Sequence, residues 1–486
     1  MKKKLGEKKT MKRWLKPHVL GVAAGLGLLL GLLFLGPFIG VADNGDFLRM
    51  MNTIGLNYYN ASETYADRFF SYSHSRFAYE NLFRGFYPSS QIFIVLVPRL
   101  LGGLLHGSWF DIRLLAAVYG LLLLAATWLL VKHNARGSYI TGLLLAGALL
   151  FVFYDIGYLA YFNSLFGEPV SLVFMLLTFA LGLRLAFKEN PAVKDLWLFF
   201  IAVFFLTCSK IQNAPIGVAF ALILLRFASL QGTAGFRKAA IRFSAAIFLI
   251  SVIMYAAAPK DLKHINLYQT VFYGILNGSP DVKGDLRELG LPERLEVLAG
   301  TNYFESGTAI KQDDPSLVPD FYSRISHKDV LLFYLKHPSR LLDNMRYAAA
   351  HSMAIRPSYL GNFEKAENKP PGALAYTYSA WSQFKNNVLP HHLAFLAIFY
   401  AVYYAGALYE YLRSADRRHR VACELMLLLG LIGIFAFLVP ILGDGRADIS
   451  KHLFLFNVCF DMMAVTMFIW VIYKLTGWVL GRGRSY

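Results

Sequence analysis

Apolar runs of about 20 residues, each closed by a short polar connection, recur along the chain, and that length spans the hydrocarbon core of a bilayer. They predict ten membrane helices at roughly 18–41, 111–131, 138–156, 169–187, 195–208, 215–229, 241–258, 389–412, 421–442 and 453–473. A further apolar stretch, 88–106, contains Pro98-Arg99 and Gly102-Gly103 and reads as a re-entrant or juxtamembrane helix. Residues 259–388 are too polar to span and too long for a bare loop. They predict short helices at 281–299 and 327–349, then a turn at Lys369, Pro370, Pro371 and Gly372. The expectation is an all-α polytopic membrane protein of four parts. These are a basic N-terminus 1–17, a membrane module 18–258 carrying the loop 42–110, a mostly helical loop domain 259–388, and C-terminal helices with a basic tail, 389–486.

Composition agrees: 56% of the 486 residues are hydrophobic and 16% charged, against about 25% charged in soluble domains. The net charge of +17 does not signal nucleic acid, because the basic residues sit in clusters between apolar runs. If the lysine-rich N-terminus is cytoplasmic, alternation puts 1–17, 132–137, 188–194, 230–240, 413–420 and 474–486 on the same side. With Arg184, Arg226 and Arg242 at adjoining helix ends, these hold 24 of the 48 lysines and arginines. That asymmetry orients the helices. Counting 88–106 as a span would instead put "VKHNARG" outside and invert everything up to the long loop. The first apolar run is longer than a signal-peptide core and no small-x-small site follows it, so it reads as an uncleaved helix. Cys208, Cys423 and Cys459 read as buried apolar residues, being odd in number and set in or beside apolar runs.

With this topology four polar features fall at one face. They are Asp43-Asn44-Gly45-Asp46, Glu168 before Pro169, "SKIQNAP" with Lys210, Gln212 and Asn213, and "GDGRADISKH" with Asp444, Arg446, Asp448 and Lys451. Each has a plain structural alternative. Asp43 and Asp46 could form a helix-stop turn with Asp46 capping the next helix, and Glu168 could complement a helix dipole. Lys210 could snorkel, and Asp444, Arg446 and Asp448 could pair among themselves. Asp155 and Asp461 lie within apolar runs, where buried acids usually line a cavity; His452 reads as a helix-end residue.

Glycosyl transfer from a lipid-phosphate sugar fits such a collection. An acceptor hydroxyl must lose its proton as it attacks, which a carboxylate base serves. The leaving phosphate needs cationic or backbone donors for its growing charge. The lipid tail puts the reaction at the membrane surface.

The order of these motifs resembles the GT-C superfamily of integral membrane glycosyltransferases. "ADNGDF" matches the acidic residue after the first span, 47–106 the juxtamembrane helices, "FNSLFGEPVSLVF" the second acidic motif, and "SKIQNAPIG" the lysine after the fifth span. "YLKHPSRLLDNM" is similar to a His-Pro segment of bacterial members, and "DNGDF" to surface-glycan hexosyltransferases of the WsfD type. The resemblance departs at the lone Glu168, where members carry an Asp-x-Asp pair, and at "GRADISKHLFLFN", where many carry an Arg-Tyr-x-Leu-Pro type segment.

The resemblance implies a multi-pass cell-membrane hexosyltransferase of cell-wall or polysaccharide biosynthesis with an extracytoplasmic site. A polyprenyl-phosphate donor gives its sugar to a glycan acceptor or lipid-linked precursor. Asp43 is the first choice for the base and Asp46 the second. Glu168 orients the acceptor or the base, while Lys210 and Arg446 hold phosphate with Lys451 in reserve. Gln212, Asn213 and Asp448 join the substrate-binding set. No cofactor is fixed, and a divalent cation is an open question because Glu168 stands alone. Tyr58, Phe69 and Tyr72 are either sugar-stacking rings or ordinary interfacial aromatics. Three other classes compete. A flippase or transporter for lipid-linked glycans would use Asp155, Asp461 and Arg99 along a path. A polymerase or ligase would act on lipid-diphosphate donors. A non-catalytic assembly subunit would need none of this chemistry.

Overall fold

The structure, a computed structural model, describes residues 16–134, 139–230 and 233–479. The polybasic start, the heart of the "VKHNARG" connection and the tail beyond 479 lie outside the described residues.

Helix α1 is Pro17–Leu33, opened by a proline at its first position. After it come α2 (Phe47–Ile54), β1 (Leu56–Tyr58), β2 (Arg76–Tyr79), α3 (Gln91–Leu105), β3 (Phe110–Asp111), α4 (Arg113–Asn134) and α5 (Tyr139–Phe153). Helices α6 (Glu168–Phe187), α7 (Val193–Thr207), α8 (Ile216–Phe227) and α9 (Ala234–Ala256) complete the first bundle. The second large segment contributes α10 (His327–Lys336), α11 (Pro338–Ala350) and α12 (Ala380–Asn387). The chain closes with α13 (Leu393–Arg413), α14 (Arg417–Asp444) and α15 (Phe454–Val479).

The protein is a helical polytopic membrane protein. Among the described residues six helices, α4, α6, α9, α13, α14 and α15, are long and apolar enough to cross a bilayer alone. Helix α5 and the helical turns 156–163, bent by 54° at their break, bring the number to seven if the pair is counted as one broken span. All ten expected helices form, but α1, α7 and α8 fall short of membrane length. The first span ends eight residues earlier than its apolar run. Gly36-Pro37 stops it, and Phe38–Ala42 run extended, paired through Gly40 N to Asn362 O (2.9 Å) and Ala42 N to Gly361 O (2.8 Å). These apolar residues are buried by protein, not lipid, a difference that hydropathy does not register.

Helix α1 crosses α5 closely because Gly21 and Gly25 face it. A Cβ on Gly25 would lie 2.8 Å from the Tyr154 ring, the small-residue contact typical of membrane helices. Helix α6 is the central post, with Glu168 and Pro169 in its first turn and 78% of its apolar window buried.

The loop 42–110 holds α2, the apolar helix α3 with Pro98 inside it, and a small antiparallel sheet in the order β1-β2-β3, which the sequence reading missed. Residues 267–334 of the second segment have a core of their own around Tyr268, Phe272, Leu295 and Phe321. The expected helix 281–299 is two short pieces, Val282–Glu288 and Glu293–Leu298, parted at Gly290, where φ is +71°. The expected helix 327–349 breaks at His337-Pro338, since a proline cannot continue the hydrogen-bond ladder. Residues 361–364 of the second loop then pair with the first. Ser73 N donates to Phe363 O (3.0 Å) and Ser75 N to the Glu364 carboxylate (2.9 Å).

Candidate active site

The site is built first from the turn after α1. Asp43 is fully buried. Its Oδ1 accepts from Gly45 N (2.8 Å) and Phe47 N (3.0 Å), and its Oδ2 accepts from the Tyr58 hydroxyl. Gly45 sits at φ +102°, a conformation that favours glycine. The capping role expected of Asp46 therefore belongs to Asp43, and Asp46 is released to point elsewhere. Burial pushes the Asp43 carboxyl up, opposed by its three hydrogen bonds. Burial and the adjoining Asp43 charge push the Tyr58 hydroxyl up as well.

Asp46 is half-buried and bridges two cations. Arg49, one helical turn on, reaches Oδ1 at 2.8 Å, and the buried Lys451 donates to Oδ2. Lys451 also donates to Asn44 Oδ1 (3.1 Å) and lies 4.3 Å from the centre of the Phe166 ring. Burial alone would raise the Asp46 carboxyl, but Lys451 and Arg49 outweigh it and hold it well below the usual carboxylate range. Asn44 in turn donates to Asp448 (3.2 Å), which sits at φ +44°.

The second wall comes from the heads of α6 and the α7–α8 connection. Lys210 Nζ donates to Glu168 Oε1 at 2.7 Å. Glu168 is almost wholly buried, and its Oε2 has no hydrogen-bond partner among the described residues. Gly167 lets the lysine pass, since a Cβ there would lie 3.1 Å from Lys210 Cγ. Gln91 Nε2 fixes the turn before Glu168 through the carbonyls of Leu165 (2.9 Å) and Phe166 (2.7 Å). Ser89 and Ser90 tie the first loop to Ser209 and Cys208.

Asp46, Arg49, Tyr87, Gln91, Glu168 and Lys210 surround one small cavity of about 40 Å³, room for roughly one water-sized group. The turn after α1 and the connection after α7 thus meet at the same end of the bundle. Burial pushes the Tyr87 hydroxyl up to about 12.

The remaining expected residues take other partners. Arg446 donates to Asn344 Oδ1 (2.8 Å) and lies 5.0 Å from the Tyr347 ring centre, so it faces the second loop. Asn213 is buried between Ser171 and Ser209. Gln212 donates to His452 O (3.1 Å), with His452 Nδ1 on its Oε1 (3.2 Å) and His452 Nε2 on Asp444 Oδ2 (2.6 Å). His452 is therefore the middle of a chain. Asp444, Arg446 and Asp448 do not pair with one another. Asp155 receives Gly157 N and Ser382 N.

Asp461 is matched by a residue that the sequence reading missed, Lys385 on α12. The two are fully buried at 2.7 Å, and Tyr158, Trp381 and Asn457 complete their hydrogen bonds. Arg49 was also missed, although its spacing of three from Asp46 marks a shared helix face. No cluster of three or more His, Cys, Asp or Glu among the described residues could hold a metal ion.

The model of the YfdI N-terminal transmembrane domain family matches residues 2–482, nearly the whole chain. The chain belongs to that family. No curated protein matches the sequence significantly. The family's description as a transmembrane domain agrees with the bundle, and the polar cluster at one end of it is the feature on which a function can be argued.

Proposed function

We propose that the protein is a membrane glycosyltransferase of the GT-C type that moves a sugar from a polyprenyl-phosphate donor to a cell-surface glycan or lipid-linked precursor. One observation carries the reading. Two carboxylates and two cations from three separate regions of the chain border a single cavity, and one carboxylate oxygen there, Glu168 Oε2, has no partner among the described residues.

The chemistry follows from accessibility. Asp43 is sealed by its own turn, so it acts as a positioning residue for that turn. Asp46 borders the cavity and is the base in this reading. Without substrate it is held by Lys451 and Arg49, which makes it a weak base. A donor phosphate arriving beside Arg49 and Lys210 draws Arg49 away and frees Asp46 Oδ1, while Lys451 keeps hold of Oδ2. The acceptor oxygen then forms its bond to the anomeric carbon while the bond from that carbon to the phosphate oxygen breaks. The acceptor proton passes to Asp46, and the departing phosphate keeps the electron pair and rests against Lys210 and Arg49. Glu168 Oε2 accepts a hydroxyl of the acceptor or the sugar and orients it. The extracytoplasmic side for this end of the bundle rests on the charge asymmetry of the sequence.

The polar groups argue against a flippase. Those of the cavity gather at one end, Leu176, Phe179 and Leu429 occupy the bundle further along, and the buried Asp461–Lys385 pair is closed by Tyr158, Trp381 and Asn457 and opens no path. The test is transfer by purified, reconstituted protein supplied with a labelled polyprenyl-phosphate hexose and membrane glycan. Wild-type protein transfers label and Glu168→Gln does not. Lipid translocation without transfer would establish the transporter instead.

A further inference from the structure

A second cavity, of about 390 Å³, lies among α4, α5, α6, α13, α14 and α15. Along α6 it runs from Leu176 to Phe187, while the proposed active site is at Glu168. At 1.5 Å per residue it therefore occupies the far half of the bundle, from about 12 to 28 Å beyond that carboxylate. Its walls are apolar, with Leu149, Phe179, Leu429 and Val465 among them. One wall, α13, has only 11% of its apolar window buried, so the cavity lies beside the lipid phase.

A dry apolar space of this size forfeits dispersion contacts unless something fills it. An apolar cavity of 150 Å³ accepts a benzene ring, so by proportion this one takes roughly 15 carbons of chain.

The far end of the cavity is polar. Glu410 accepts from Lys474 Nζ (2.6 Å) and Trp470 Nε1 (3.0 Å), with His419 Nε2 at 3.9 Å. Beside this collar stand Arg413, Arg417, Arg418 and Arg420. None of the four forms an ion pair with a carboxylate among the described residues; Arg418 and Arg420 donate to the carbonyls of Glu189 and Ser414. Glu410 is already neutralised by Lys474, so the collar keeps an excess of positive charge. An apolar slot under a basic collar, between membrane helices, is the arrangement that takes an anionic lipid.

We infer that this cavity holds one acyl chain of an anionic glycerophospholipid from the leaflet at that end of the bundle, with the lipid phosphate on the arginine collar. The slot fits a single chain of ordinary acyl length. Its position opposite the carboxylate site separates this lipid from the donor.

Gly406 gives a clean handle. It lines the cavity, and a Cβ added there meets nothing within 4 Å, so a larger side chain fills the slot without displacing protein. The experiment purifies the full chain in mild detergent and measures bound lipid by native mass spectrometry. It then measures the melting temperature in phosphatidylglycerol and in phosphatidylcholine nanodiscs. Wild-type protein should retain about one anionic phospholipid and melt higher in phosphatidylglycerol. Gly406→Leu should cut retention at least tenfold. The surface double variant Arg413→Gln/Arg417→Gln, which leaves the slot intact, should abolish the preference for phosphatidylglycerol. Absence of retained lipid, equal retention of phosphatidylcholine, a retained polyprenyl phosphate in its place, or undiminished anionic lipid in a folded Gly406→Leu protein would each overturn the inference.

Discussion

Lys451 donates its ammonium into the carboxylate of Asp46, joining the connection before the last helix to the turn after the first. The lysine is almost wholly buried and the aspartate half-exposed, so the pair is anchored at one end and open at the other. Asp46 is thereby aimed at the cavity that holds Glu168 and Lys210. The proposed chemistry depends on this aim.

Removing the turn's pin should unfold the site from within. Asp43→Ala strands Gly45 N, Phe47 N and the Tyr58 hydroxyl. Each buried donor left without a partner costs about 1–3 kcal/mol. The melting temperature in detergent should fall well below wild type, and further than that of Asp46→Asn, which loses the charge pairing with buried Lys451 but keeps an amide oxygen to accept from it.

The two aspartates respond to pH with opposite sign. Asp46 is held below its ordinary value, so its contribution to stability is present above the unfolded carboxylate value of about 3.9 and is lost as pH falls through the depressed one. Asp43 is held above, so its contribution is full below about 3.9 and is lost as pH rises through the raised value. Lys451→Met removes the strongest pull on Asp46. The melting-temperature gap between this variant and wild type should be widest near neutral pH and should shrink below about pH 4. A gap independent of pH would contradict the assignment.

Lys385→Met leaves Asp461 charged, buried and without its cation. Breaking such a pair from one side costs about 3–5 kcal/mol. The double variant Lys385→Met/Asp461→Asn keeps an acceptor for Tyr158 and Trp381 and should recover most of the lost melting temperature. A double variant no better than the single would mean that the charge pairing is not what holds α12 to α15.

The helices, their order and the gathering of Asp46, Glu168, Lys210 and Lys451 at one end were legible in the sequence, because apolar length and charge asymmetry report on the bilayer directly. The early stop of α1 was not. Phe38–Ala42 look the same whether lipid or residues 361–363 cover them. The division of labour between Asp43 and Asp46 also escaped, since both spacings suit a cap and only the backbone conformation at Gly45 decides which carboxylate turns inward. Arg446 was assigned to phosphate on charge alone. Its partner, Asn344, lies 102 residues away in a loop whose docking no local pattern encodes. Lys385 gave no signal because it sits in a polar segment that reads as exposed until α12 packs on Asp461.

The most direct measurement is single-turnover transfer from a labelled polyprenyl-phosphate hexose by purified Asp46→Asn protein, with donor binding measured on the same preparation. The proposal predicts donor binding within a few-fold of wild type and transfer reduced by about 10²–10⁴-fold. Transfer at the wild-type rate by the folded variant would contradict the assignment of Asp46 as the base, and no transfer by wild-type protein with any polyprenyl-phosphate sugar would contradict the activity itself.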